Sequence, residues 1–375
     1  MVLHIANDFS GSTVYKNLVN ELDLLNIEQI VYNPIRTPNR IVKNAIELST
    51  QKSEIIYSLI LNNHTDRIFY KLKIKKILKD IEENVDLSKI TFIHAHTWYS
   101  DGAVAYELSK KYDIPYIIAV RNTDINLFLK YFIFERKYGM EILLKSKKII
   151  TISTVYRKRL LQDSRLISLR EKLIKDVVVI PNGLDPYWIA NQGVKRKRLS
   201  NENKIKLLYI GKFDQGKNVY NLIKAVINLN SKQPIYELTL IGGNGREQDK
   251  ILKLIESRTD VNYIGPVYDL EALRTFYQDS DIFTMPSKAE TFGLVYVEAL
   301  LQGLPILYTK NEGIDGFYET SIGEKVENFS ISEIEKKITT IVNNYSSYEF
   351  SINQIANNHQ WNLIALDYLK LYQQI

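Results

Sequence analysis

Short apolar runs alternate along this chain with stretches whose apolar residues recur every third or fourth position. That order predicts parallel strands joined by crossover helices, as in a doubly wound α/β fold. In the first half the runs are 2–6, 91–96, 114–120, 147–153 and 177–181, with amphipathic helices predicted over 14–25 and 103–112. The second half repeats the theme at 204–211, at 238–245 where the run enters a glycine-rich turn, and at 261–265, 281–286 and 306–308. Helices are predicted there up to residue 228, from 247 and over about 293–303. Beyond 308 the pattern weakens until a terminal helix over 354–374. A chain of 375 residues accommodates two domains of ordinary size, expected at 1–186 and 187–353.

Residues 281–308 read strand, loop, helix, strand, with Pro286 stopping the first strand and Gly303 and Pro305 stopping the helix. In an open parallel sheet ligands bind beyond the carboxyl ends of strands, and the free amides of a following helix attract anions. Glu290 lies in that loop and Glu298 about two turns along the helix, so both can face one cleft. Carboxylates repel phosphate but accept hydrogen bonds from hydroxyls. The pair therefore suits a sugar and a ribose, with the amides near Phe292 and Gly293 taking the charge between them.

Composition narrows the picture. With 45% apolar and 25% charged residues the chain is an ordinary globular one. No apolar run is long enough to span a bilayer, and the opening residues lack the basic-then-apolar order of a signal peptide, so a cytoplasmic protein is expected. The absence of cysteine excludes disulfides, thiol catalysis and thiolate metal sites. A net charge of +6 and a pI near 9.0 invite an anionic partner. The basic residues fall in separate clusters without a nucleic-acid motif, so no nucleic-acid partner is expected.

The string Glu290-Thr-Phe-Gly-Leu-Val-Tyr-Val-Glu298-Ala-Leu-Leu-Gln-Gly303-Leu-Pro305 resembles the glutamate signature of the retaining glycosyltransferases of sequence family 4, the glycosyl transferases group 1. The resemblance implies the GT-B fold, two Rossmann-like domains facing across a cleft with a C-terminal helix, 354–375, crossing back to the first. It implies a nucleotide-sugar donor, UDP-sugar favoured, bound by the second domain, and an acceptor bound by the first. It gives Glu290 the transferred sugar and Glu298 the donor ribose. Gly11, Gly211, Gly243, Val267, Thr291, Phe292, Gly293 and Leu294 fall at further donor contacts. Lys212 and Lys217, five apart in the loop after 204–211, match the cation pair that clamps the leaving diphosphate. Lys212 stands where the family has Arg and forfeits bidentate phosphate binding. His96, Arg121, Asn122 and Asp124 fall on the acceptor side, Arg121 at a place where His is more usual. No metal and no cofactor beyond the nucleotide sugar is implied. By analogy the acceptor is a glycan or a lipid-linked oligosaccharide in bacterial surface polysaccharide synthesis.

Several features keep rival readings. His94 and His96 point to one side of a strand, as metal ligands would, but no third ligand is evident nearby and they read as strand-end histidines at a domain cleft. Asp279 and Asp281 imitate a metal-binding carboxylate pair, while their place between a helix end and a strand start favours capping. The Lys195–Arg198 run reads as a solvated linker. Residues 68–79 set apolar and basic positions on one helical period, which fits peripheral contact with an anionic membrane or a core helix with a solvated back. A nucleotide-sugar epimerase of the same fold and a non-catalytic sugar-nucleotide binder remain open as functions.

Overall fold

The computed structural model describes residues 1–63, 65–195, 199 and 204–375. The chain divides into two units, one of residues 1–152, 156–183 and 361–375, the other of 153–155 and 184–360. The Lys195–Arg198 run lies largely outside the described residues.

In the first unit the strands are β1 (Val2–Ile5), β2 (Gln29–Pro34), β3 (Glu54–Ser58), β4 (Phe92–Ala95), β5 (Tyr116–Val120), β6 (Ile149–Thr151) and β7 (Val177–Val179). All pair in parallel in the order β3-β2-β1-β4-β5-β6-β7. Helices cover both faces, so the central strands β1, β4 and β5 are buried at every position. The second unit contains β8 (Ile205–Gly211), β9 (Tyr236–Gly242), β10 (Val261–Gly265), β11 (Ile282–Thr284), β12 (Ile306–Thr309) and β13 (Gly323–Val326), again all parallel, in the order β10-β9-β8-β11-β12-β13.

Strands β2, β3 and β13 and the helix Ile331–Asn343 were not anticipated from the hydrophobic pattern. Both β3 and β13 are edge strands; β13, Gly-Glu-Lys-Val, lacks the apolar run of a buried strand, whereas β3 carries Ile55-Ile56-Tyr57, a run hidden by the reading of 55–83 as a helical stretch. β2 is wholly buried, and its polar Gln29 and Asn33 side chains donate to the carbonyls of Val19 (2.8 Å) and Ala6 (2.6 Å).

The expected single terminal helix is two helices, Ile352–Asn358 and Trp361–Tyr372. His359, at φ −125°, breaks the helical path after a stretch of polar residues with weak helix propensity. The second helix belongs to the first unit, where Trp361, Ile364, Tyr368 and Leu371 join Val2, Leu18, Leu22 and Phe92 in one apolar cluster. Gly183 makes room for it, because a Cβ there would sit 2.5 Å from the Trp361 ring.

That helix also covers three histidines. The register of β1 on β4 sets His4 beside His94, and His94 and His96 share a face, so the third imidazole missing from the local sequence arrives from a neighbouring strand. His4 Nδ1 lies 3.0 Å from His96 Nε2, and His94 Nδ1 lies 2.8 Å from the Tyr372 hydroxyl. The cluster has potential metal-ligand atoms within 4.8 Å of one another, and the remaining ring nitrogens have no hydrogen-bond partner. All three side chains are excluded from solvent. Burial pushes the His4 pKa down to about 3 and holds His94 and His96 well below the usual range, with neighbouring histidines and Arg121 adding to the effect on those two.

The fold keeps these imidazoles neutral, whereas the unfolded chain protonates them near pH 6.5. Their contribution to stability is complete above that pH and declines as pH falls through it, by about 1.4 kcal/mol per pH unit for each histidine. Urea midpoints measured from about pH 7.5 to 5 should fall more steeply for the parent than for His4→Asn. Equal slopes would exclude the cluster as a source of acid sensitivity.

Candidate functional site

In the second unit the chain leaves β8 toward β9 on one side and returns at β11 on the other, which makes the gap between β8 and β11 the topological switch point. The loops after those two strands cannot close over each other there, and the crevice they leave is the usual ligand site of an open α/β sheet. Lys217 ends a short turn, Gln215–Lys217, after β8, and Glu290 lies in the loop after β11. Lys217 Nζ donates to Glu290 Oε2 at 2.5 Å. The carboxylate side chain is 12% exposed and the ammonium 27%.

The backbone around Glu290 is built to hold that side chain. Gly293 has φ +83° and caps the helix Leu294–Leu301, and Gly313 has φ +51°. A Cβ on Gly293 would meet the Tyr296 ring at 2.5 Å, and one on Gly313 would meet Glu290 Cγ at 2.9 Å, so both positions require glycine. The Thr291 amide donates to Glu290 Oε1 at 3.1 Å, and the Glu290 amide donates to Glu312 at 2.9 Å. Phe292 is buried against Phe317 and His359, while Thr291 and Leu294 remain half-buried beside it.

The turn after β9 is laced to the loop after β8. The Gly243 amide donates to the Gly211 carbonyl at 3.1 Å, and the Arg246 amide to Asp214 at 2.9 Å. Gly242, at φ +117°, lets β9 approach so closely that a Cβ would lie 2.1 Å from the Gly211 carbonyl oxygen. Between them Asp214, Gln215, Gly216, Arg246 and Glu247 line a cavity of about 540 Å³. Val267 is half-buried past the end of β10. Gly211, Gly243 and Lys217 thus stand at the ends of adjacent strands, whereas Lys212 is exposed and does not join the Lys217–Glu290 pair.

Glu298 has a different neighbour from Glu290. The Tyr277 hydroxyl donates to Glu298 Oε2 at 2.9 Å, a partner that sequence spacing did not reveal because it comes from the helix Leu270–Gln278. Burial raises the Glu298 pKa to about 7, against the lowering effect of that hydrogen bond. The Asp281 carboxylate accepts from the Lys206 amide of β8 at 2.9 Å, and Asp279 ends the helix Leu270–Gln278 through its backbone amide.

The first unit has its own switch point, between β1 and β4. Asn7, after β1, donates through Nδ2 to Ser100 Oγ at 2.7 Å, and its amide reaches Asp101 at 3.3 Å. Lys73 turns inward to Ser100, so it is not one of the solvated lysines the 68–79 periodicity led us to expect. Burial raises Asp101 and lowers Lys73, each carrying the other's opposing charge. Asn7 was not singled out from the sequence, and Lys73 is expected there only as a solvated lysine, although it lies three residues after Tyr70 and four before Ile77 on the apolar face of its helix.

The candidate acceptor-side residues divide. Arg121 Nε donates to the His96 carbonyl at 3.1 Å and its guanidinium stacks 5.5 Å from the Tyr15 ring centroid. Asp124 accepts instead from the backbone amides of Trp98, Tyr99 and Arg121, so the two side chains form no salt bridge. His96 and Asp124 are buried, while Arg121 and Asn122 keep partial exposure. A Cβ on Gly11 would lie 2.0 Å from Asp8 Oδ1 and 3.0 Å from Arg40 Nη1, two side chains that pair with each other at 3.4 Å.

Comparison with known proteins agrees with this architecture. The model of Glycosyltransferase Family 4 matches residues 11–188 and that of Glycosyl transferases group 1 matches 191–359. An uncharacterised glycosyltransferase of Methanocaldococcus jannaschii is 24% identical, covering 97% of this chain and 95% of its own. The alpha-monoglucosyldiacylglycerol synthase of Acholeplasma laidlawii is also 24% identical, covering 81% of this chain and 77% of its own. An Anabaena protein solved in complex with UDP-glucose superposes with a TM-score of 0.66 at 16% identity, over 100% of this chain and 99% of its own. With the two family models tiling both doubly wound units, the chain belongs to the group 1, family 4 glycosyltransferases and has the GT-B fold.

Proposed function

We propose that this glycosyltransferase moves a sugar, with retention of configuration, from a nucleotide-sugar donor to a glycan or lipid-linked oligosaccharide in surface polysaccharide synthesis. The observation that carries the reading is the Lys217–Glu290 pair at the switch point of the second unit. A UDP-sugar is the favoured donor, in keeping with the UDP-glucose complex of the Anabaena protein. In this reading the donor diphosphate draws the Lys217 ammonium, and the released Glu290 carboxylate accepts hydrogen bonds from the hydroxyls of the transferred sugar. Glu298, held by Tyr277, takes the donor ribose. The bond from the anomeric carbon to the acceptor oxygen forms on the face from which the diphosphate leaves, and the acceptor proton passes to the departing phosphate oxygen. Lys217 and the amides at Gly293 and Leu294 stabilise the charge that develops there, so no metal is needed.

Glu290→Gln should lower turnover strongly without lowering the melting temperature to match, because the side chain serves the ligand and not the apolar core. Near-normal turnover would remove Glu290 from the site. Lys217→Ala should cost about 2 to 4 kcal/mol of transition-state stabilisation and raise the donor KM; unchanged donor kinetics would rule out the clamp. Incubating the donor without acceptor separates the reading from an epimerase, which would convert the sugar. EDTA should leave transfer intact, and loss of activity restored by Mg²⁺ or Mn²⁺ would overturn the metal-independent route.

A further inference from the structure

The first unit carries an apolar protrusion that plays no part in the site above. It is built from two segments, the stretch 68–72 at the start of the helix Tyr70–Asn84 and the turn 131–135, which line one cleft of about 480 Å³. Phe134 at its tip is 96% exposed, Ile68 74%, Ile133 64% and Tyr131 62%. Large apolar side chains gathered in this way mark an interaction surface.

The backbone that presents them is anchored. The Tyr70 hydroxyl donates to the Tyr99 carbonyl at 2.6 Å and Arg136 Nε to the Leu129 carbonyl at 3.2 Å. Lys71 reaches Glu135 at 3.5 Å and ties the two segments together. Of the nine Lys or Arg in stretches 67–79 and 130–137, Lys71, Lys76 and Lys79 pair with Glu135, Asp66 and Glu83, and Lys73 turns inward, so the excess positive charge at this surface is carried by cations such as Lys75, Lys130 and Lys137.

We propose that this protrusion docks the protein on an anionic lipid bilayer, with the side chains of 131–134 and 68–72 entering the headgroup boundary and the surrounding lysines facing the lipid phosphates. Charge complementarity selects the occupant. A second copy would bring one cationic surface against another, and the core of a protein interface is depleted of the lysines that flank this one. A bilayer supplies both an apolar layer for Phe134 and Ile133 and negative charge for the lysines. The inward turn of Lys73 shifts the contact from the lysine stripe, which the sequence suggested, to the apolar tip. This goes beyond the proposed transfer reaction and does not depend on it, since docking requires neither donor nor acceptor.

Flotation of the full chain without nucleotide sugar tests it. Vesicles of equal parts phosphatidylcholine and phosphatidylglycerol should carry the parent, and pure phosphatidylcholine should carry about tenfold less. The double variant Ile133→Ser, Phe134→Ser should lose about tenfold in binding to the anionic vesicles at an unchanged melting temperature, because both side chains are solvent-exposed. Lys75→Gln with Lys130→Gln should weaken binding to anionic vesicles and leave the residual binding to phosphatidylcholine unaltered. A parent that fails to float, a Ser variant that floats equally well, or a parent dimer that the Ser variant converts to monomer would each overturn the proposal.

Discussion

Two neighbouring parallel strands whose connections depart in opposite directions leave a crevice between their carboxyl ends that no loop can fill from either side. Both units of this chain are subject to that constraint, at β8/β11 in one and β1/β4 in the other. In each, polar side chains from the two diverging loops meet: Lys217 with Glu290, and Asn7 with Ser100 and Asp101. Sheet order thus decides where chemistry can be placed before any particular residue is considered. The glycines at 242, 293 and 313 then settle how closely the backbone and the Glu290 side chain can approach in the second unit.

The Lys217–Glu290 pair is held where water is scarce but not absent. A carboxylate in such a place would be costly if unpaired, and the ammonium offsets that cost while no ligand is bound. In the proposed reading, a donor diphosphate would replace the carboxylate as partner of the lysine, and sugar hydroxyls would replace the ammonium as partners of the glutamate. Glu298 differs because its nearby hydroxyl carries no charge, and its burial shows in a pKa raised to about 7.

Much of this was legible in the sequence wherever structure follows from local pattern. Buried central strands announce themselves as apolar runs, and the stretch from Glu290 to Pro305 carries both its helix boundaries and its two carboxylates in order. What escaped depends on register and side-chain direction. His4 joins His94 and His96 only because β1 pairs with β4, ninety residues away in the chain. Tyr277 reaches Glu298 from another helix, and Lys73 sits among the apolar residues of the inward face of its helix, where its charge led us to expect a solvated side chain. Edge strand β13 was missed because an edge keeps polar residues that a central strand cannot.

The break at His359 shows how the two units are joined in sequence yet distinct in packing. Ile352–Asn358 packs in the second unit, and Trp361–Tyr372 completes the core of the first. Without that last helix Val2, Leu18 and Phe92 would face water, and the His94 ring would lose its hydrogen bond to Tyr372. The first unit is therefore completed by residues 361–375, which follow the second unit in sequence. Its stability rests on apolar contacts between segments far apart in sequence, a non-local closure whose entropic cost grows only slowly with the length of the intervening chain. An inserted domain of this size can thus be carried between the two parts of the first unit, because the cluster around Trp361 and Tyr368 needs only to be reached by the terminal helix and not to be contiguous with it.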